Sequence, residues 1–169
     1  MQIILLAGKQ AGCIGMLAIL ALGHHIRSAV VYDKYTEKQA ALLGLNYFKS
    51  INNVPRYPDF FLSDLLICVH GREIVPTEVL EIPRYGAINV HPCLYAYKGA
   101  DPIRRLMEDK NPMASVGVHR MTSKVDEGEV LTEYFRLVKD KTTEDEVYNA
   151  LYPLYPIVIS EALRRVCIS

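Results

Sequence analysis

Apolar and polar positions divide the chain into short apolar runs, separated by turn residues and by stretches of helical period. Residues 2–7 and 26–32 are apolar runs of strand length, as expected of parallel strands buried on both faces. Residues 65–70 and 86–91 read the same way. Between the first two, residues 8–12 form a glycine-containing turn, and residues 13–22 have helical length up to the stop at Gly23. Residues 34–44 make a polar-flanked helix, Tyr47 and Phe48 a short strand, and residues 51–58 a loop with two asparagines and two prolines. Residues 76–81 make a short helix bounded by Pro76 and Pro83, and residues 101–108 a helix with Asp101 as N-cap and Pro102 at its first position. Residues 116–121 and 129–138 are further strands, the second an antiparallel partner. Thr143 and Glu146 form a capping box for a helix through Leu151; Pro153 and Pro156 interrupt it before residues 157–166 resume. The βαβ opening and the continued alternation predict an α/β fold, a mostly parallel Rossmann-like sheet with helices on both faces.

With 169 residues, half of them hydrophobic, the chain is expected to form one domain over residues 1–169. Nineteen basic residues balance nineteen acidic ones, so no overall field favours nucleic acid or an anionic membrane as partner. The apolar run 13–22 is too short to span a bilayer, and no secretory signal pattern precedes it. Cys13, Cys68, Cys93 and Cys167 are scattered without a C-x-x-C spacing, three of them in apolar surroundings, which suits a reduced, cytoplasmic protein.

Candidate chemistry collects around residues 89–102. Side chains alternate along a strand, so Asn89 and His91 leave the carboxyl end of their strand on one face. Pro92 is expected to end the ladder, and a loop closing at Gly99 leads into the helix after Asp101. In an open α/β sheet, ligands sit beside such loops. At the first turn, glycines at 8, 12 and 15 lack the G-x-G of a dinucleotide site. Gly8, Lys9, Gln10 and Gly12 read either as a backbone cradle for a substrate phosphate or as a plain tight turn. His70, His91, His119 and Asp126 are metal-capable but lack zinc-like spacing, so no metal is expected. Cys93 beside His91 is a rival nucleophile, though no cationic neighbour is evident to lower its pKa. Tyr148, Tyr152 and Tyr155 read as core or as the face of a homodimer.

The stretch Asn89-Val90-His91, then Pro92-Cys93-Leu94 through Gly99, then Val125-Asp126-Glu127-Gly128 with apolar residues after it, closely resembles the folate-dependent formyltransferase family. The likeness spans most of the chain in element order. Cys93 stands where that family usually has Ser, and Tyr95-Ala96 where it has Leu-Pro, departures that bear on folate affinity more than on chemistry. The resemblance implies a formyl transfer from 10-formyltetrahydrofolate, as co-substrate, to a primary amine. It assigns Asn89 and His91 to the formyl carbonyl and the oxyanion, and Asp126 to orienting His91 and moving the proton. It places the pteridine against Val69, His70, Gly71, Arg72, Glu73, Ile74, Val75 and Leu94, with Asp126, Glu127 and Gly128 opposite. Hydrolysis of the same donor, and folate or nucleotide binding without turnover, are the alternatives. With zero formal charge and a chain ending at Ser169, the expected acceptor is a small molecule, a nucleotide-linked amino sugar or glycinamide ribonucleotide, and not tRNA.

Overall fold

The computed structural model describes residues 1–166, the side chains of Tyr57 and Pro58 apart; Cys167 lies outside the described residues. Seven strands form one sheet: β1 (Gln2–Ala7), β2 (His25–Val31), β3 (Tyr47–Phe48), β4 (Leu65–Val69), β5 (Ala87–Pro92), β6 (Met113–Arg120) and β7 (Val130–Leu137). Their order is β3-β2-β1-β4-β5-β6-β7, parallel through β5 and antiparallel across the last two pairings. The helices are α1 (Lys9–Ala21), α2 (Lys34–Leu42), α3 (Thr77–Leu80), α4 (Pro102–Glu108), α5 (Glu144–Leu151) and α6 (Leu154–Val166).

The continuous apolar runs are central because both of their faces are covered. Ile3, Leu5, Ala7, Ile67, Val69, Ile88 and Val90 face a large core closed by residues of α1, α4, α5 and α6. Ile4, Leu6, Leu66, Cys68 and Ala87 face a smaller one, closed by Val79 and Leu80 of α3 and by Ile51, Val54 and Phe60. Each fully buried leucine or isoleucine contributes about 1.5–3 kcal/mol. Helical cover is thus uneven, and the thinner face carries only α3 and short helical turns at Ile51–Asn53 and Arg56–Phe60, where the sequence suggested a loop.

Four local expectations are corrected. Helix α1 begins at Lys9, so the expected turn at 9–12 is its first turn. Pro92 belongs to β5: opposite Val116 it sits between the hydrogen-bonding positions, and the Cys93 N–H still reaches the Ser115 carbonyl at 2.9 Å. A proline costs an antiparallel ladder nothing where its nitrogen faces away from the partner. Asp101 precedes α4 but makes no side-chain cap bond, because its backbone is left-handed (φ 51°). Pro156 lies within α6, in the first turn, where no i−4 carbonyl awaits its missing N–H. The Thr143–Glu146 capping box forms as expected.

After β1 the chain first builds outward through β2 and β3, then returns to place β4 and β5 on β1's other side. The connections after β1 and β4 run to opposite faces of the sheet, α1 to the larger core and α3 to the smaller, leaving a crevice at the switch in strand order.

Candidate active site

Asn89 and His91 stand on one face of β5, the face of the smaller core. The antiparallel register sets His119 opposite Asn89 and Gly117 opposite His91. Directly opposed side chains share a face, so His119 joins the pair. Gly117 leaves the space into which Leu94 packs; a Cβ there would lie 2.8 Å from Leu94 Cδ2. Asp126, on the β6–β7 connection, reaches back over the strands from a left-handed backbone (φ 53°). Non-glycine residues held in that region are concentrated where the surroundings impose them, often at functional sites.

Asp126 is the hub. Its Oδ1 accepts from Asn89 Nδ2 at 3.2 Å and lies 3.2 Å from His119 Nε2; its Oδ2 accepts from the Gly99 N–H at 2.8 Å and lies 3.5 Å from His91 Nδ1. His91 Nε2 donates to the Tyr97 carbonyl at 3.1 Å, and His119 Nδ1 donates to the Arg120 carbonyl at 2.8 Å. The Asn89 amide nitrogen also lies 3.2 Å from His119 Nε2. Each ring is thereby held by a backbone carbonyl on one edge and turned toward the carboxylate on the other.

Electrostatics follow from this geometry. Burial pushes the Asp126 carboxyl up, but the His119 contact, the two imidazoles and the Gly99 N–H outweigh it and hold the group well below the usual carboxylate range. Burial lowers the His91 pKa, against the opposing pull of Asp126. The site at neutral pH thus combines an ionised carboxylate, a neutral imidazole and a neutral amide. Cys93 does not join it. The residue is fully buried in the larger core and burial raises its thiol to about 11, so the nucleophile reading fails for want of a thiolate. Among the described residues no group of His, Cys, Asp and Glu is arranged to hold a metal ion.

A cleft of about 650 Å³ opens over these residues, across the carboxyl ends of β1, β4 and β5. Of the residues assigned to the donor, His70, Gly71, Arg72, Glu73, Ile74 and Val75 line it. Glu73 is tied down at its rim, accepting from Ser50, the Ile51 N–H and Tyr32. Val69 and Leu94 do not line it, being core residues. Glu127 turns away to pair with Lys98 at 2.9 Å, and Gly128 is pressed on the Arg120 carbonyl, so Met121 to Val125 supply the opposite wall instead. At the first turn only Lys9 reaches the cleft; Gly8, Gln10 and Gly12 do not. Three of the four backbone N–H groups read as a cradle are already engaged. Gly8 N–H bonds the Val69 carbonyl, Gly12 N–H bonds Gly8, and Lys9 N–H donates to the Asp33 carboxylate at 2.6 Å. An acidic side chain thus takes the Lys9 N–H of the stretch that reads either as a phosphate cradle or as a plain tight turn. Sequence reasoning missed His119 as a site member, because only the β5–β6 register reveals it, and Tyr148, whose ring forms part of the cleft wall.

With this geometry in place, the likeness to known proteins becomes specific. The family pattern described as formyl transferase matches residues 51–163, which include β4, the β5 loop, His119 and Asp126. The chain belongs to the formyl transferase family. It is 28% identical over 167 residues to the bifunctional polymyxin resistance protein ArnA of Wigglesworthia glossinidia brevipalpis, covering 89% of this chain and 25% of that protein. It is 33% identical over 135 residues to a methionyl-tRNA formyltransferase of Natranaerobius thermophilus, covering 75% of this chain and 42% of the relative. The chain thus spans less than half the length of these curated relatives. Among solved structures, phosphoribosylglycinamide formyltransferase from Anaplasma phagocytophilum superposes with a TM-score of 0.80 at 16% identity, covering 96% of this chain and 85% of the other. At that identity the superposition speaks for the fold, and the family assignment rests on the sequence match.

Proposed function

We propose that this family member is a cytoplasmic enzyme that transfers a formyl group from 10-formyltetrahydrofolate to a primary amine, with residues 1–169 acting as one catalytic domain. The observation that carries this reading is the convergence of Asn89, His91 and His119 on the Asp126 carboxylate at the floor of the cleft. Attack by the amine nitrogen on the formyl carbon forms a C–N bond and an oxyanion. Collapse breaks the bond to the donor nitrogen, while one proton passes from the acceptor nitrogen to the donor. Asn89 and His91 polarise the carbonyl and stabilise the oxyanion, and positioned donors of this kind are often worth a few kcal/mol in the transition state. Asp126, 3.5 Å from His91 Nδ1, favours the charged form of the ring as the proton moves. Asp126 engages one Asn89 amide hydrogen in the unliganded site, which leaves the other for the formyl oxygen.

The donor fits the end of the cleft walled by Ile74, Val75, Leu80, Met121 and Val125, between residues 71–75 and 121–125. The acceptor reading is a small amine, an amino sugar on a nucleotide. Supporting it is the balanced charge, which supplies no polyanion field for tRNA. The test offers labelled formyl donor with initiator tRNA, glycinamide ribonucleotide, and UDP- or dTDP-linked amino sugars at equal concentration. Preferential labelling of an amino sugar is expected. Preference for tRNA or for glycinamide ribonucleotide refutes the acceptor, and labelled formate released equally with and without amine refutes transfer itself.

A further inference from the structure

One corner of the cleft, which includes His70 from the stretch assigned to the donor, takes no part in the bond-making steps above. Lys9, after β1, and His70, after β4, flank the crevice at the switch in strand order, and both line the cleft. Both are non-glycine residues with left-handed backbone, φ 55° in each. The two turns are locked together: Gly8 donates to the Val69 carbonyl at 3.0 Å, and its Cα is so close to β4 that a Cβ would lie 2.3 Å from the His70 carbonyl oxygen. The Lys9 ammonium stands over the Tyr148 ring, 5.5 Å from its centre, and the His70 ring meets the same tyrosine edge-on at 5.4 Å.

His70 is set up as an uncharged donor. Tyr155 is wholly buried, and its only described hydrogen-bond partner is His70 Nε2 at 3.3 Å, so the hydroxyl donates there. Burial, with Lys9, His91 and Arg72 nearby, lowers the imidazole to about 4. The ring proton of the neutral form therefore sits on Nδ1. No described residue accepts it, and Nδ1 is not one of the buried unpartnered atoms, which leaves it facing the cleft. Lys9 Nζ has no carboxylate within ion-pairing distance among the described residues. Asp33, close by, spends its oxygens on the N–H groups of Lys9, Tyr35 and Thr36.

We propose that Lys9, His70 and Tyr148 form a subsite for an oxyanion carried by the formyl acceptor, a phosphate or carboxylate group held by the Lys9 ammonium and the His70 Nδ1–H against the tyrosine ring. The subsite deepens the transferase reading and rests on it. It replaces the backbone cradle, whose Lys9 N–H Asp33 takes, with side chains that the strained turns hold in place. A charged donor and a neutral one suit an anion that must bind and then leave with the product.

The full chain, labelled with 15N-histidine and held at pH 7.5, is titrated with inorganic phosphate, with acetate, and with chloride as the ionic-strength control. The His70 ring signals, assigned by their loss in His70→Gln, are expected to shift saturably with phosphate or acetate and not with chloride. A response to phosphate alone identifies a phosphorylated acceptor, and a response to acetate a carboxylate. Lys9→Met is expected to weaken the fitted affinity about tenfold, as loss of a charge-assisted bond would. Calorimetric binding of 5-formyltetrahydrofolate to the same variant should be unchanged, which shows that the cleft is intact. Absence of a saturable shift with either anion overturns the proposal, as does an identical titration in Lys9→Met, the sign of an adventitious ion only. Anion binding in a protein that formylates no amine would leave the subsite standing while removing the transferase reading, and transfer without an anion response would do the reverse.

Discussion

Asp126 Oδ1 lies 3.2 Å from His119 Nε2, although the two residues come from different segments and His119 is almost wholly buried. The contact exists because β6 returns antiparallel beside β5 and sets His119 opposite Asn89. It makes His119 a positioning residue for the carboxylate. His119→Ala is expected to lower kcat by about 10–100-fold with little change in KM, the worth of one hydrogen bond to a charged group. His119→Asn, which restores a donor, should recover part of the loss. Equal kcat in His119→Ala and the parent would show that the contact is structural only.

Asn89→Ala, His91→Ala and Asp126→Ala should each cost about 100-fold or more in turnover while the far-ultraviolet dichroism stays that of the parent. Rates on folded variants decide this. Near-parental turnover in His91→Ala would remove it from the oxyanion role.

Cys93→Ser is expected to keep its activity. The thiol lies in the larger core and is raised to about 11, so it carries no nucleophilic thiolate at neutral pH. Stability should fall by about 1–3 kcal/mol, because the hydroxyl loses water in an apolar setting. Denaturant unfolding measures the loss, and a formyl adduct on Cys93 by mass spectrometry would contradict the direct mechanism.

Stability should fall as pH drops from about 6.5 toward 4, and His70 should carry much of the fall. Its native pKa of about 4 lies below the unfolded value near 6.5, so in this window the unfolded chain takes up a proton that the folded one refuses. The contribution is present above 6.5 and is lost as pH falls to about 4, on the order of 3 kcal/mol in all. His91, also lowered, acts in the same direction. Asp126 works lower: its depressed pKa contributes stability above the unfolded carboxylate range near 4, and that is lost only on further acidification. Melting temperatures of the parent and of His70→Gln between pH 7 and 4 test the assignment; parallel curves would contradict it.

Gly8→Ala should destabilise the protein by about 1–3 kcal/mol and disturb the cleft, since the added methyl would sit 2.3 Å from the His70 carbonyl oxygen. Thermal melts, together with the His70 ring signals, report both effects.

Much of this protein is legible in its residues alone. The buried strands at residues 2–7 and 65–69 are unbroken apolar runs, and the Thr143–Glu146 box states its own helix start. Asn89 and His91 share a face because a strand alternates, a purely local fact. The family motif supplied Asp126. What the chain could not disclose locally depends on packing between distant segments. Pro92 looked like a strand end, yet the β6 register places its nitrogen where no bond is needed. The glycines at 8 and 12 fitted an anion cradle or a plain tight turn equally, and only packing brings Asp33, from the far end of β2, onto the Lys9 N–H. Leu94 and Glu127 lay within the motif but were drawn elsewhere, one into the core by the space beside Gly117 and the other to Lys98. His119 carried no local signal; only strand pairing could put it beside Asn89. Local periodicity determines which side chains share a face, whereas register and packing decide which faces meet, and the site lies where they meet.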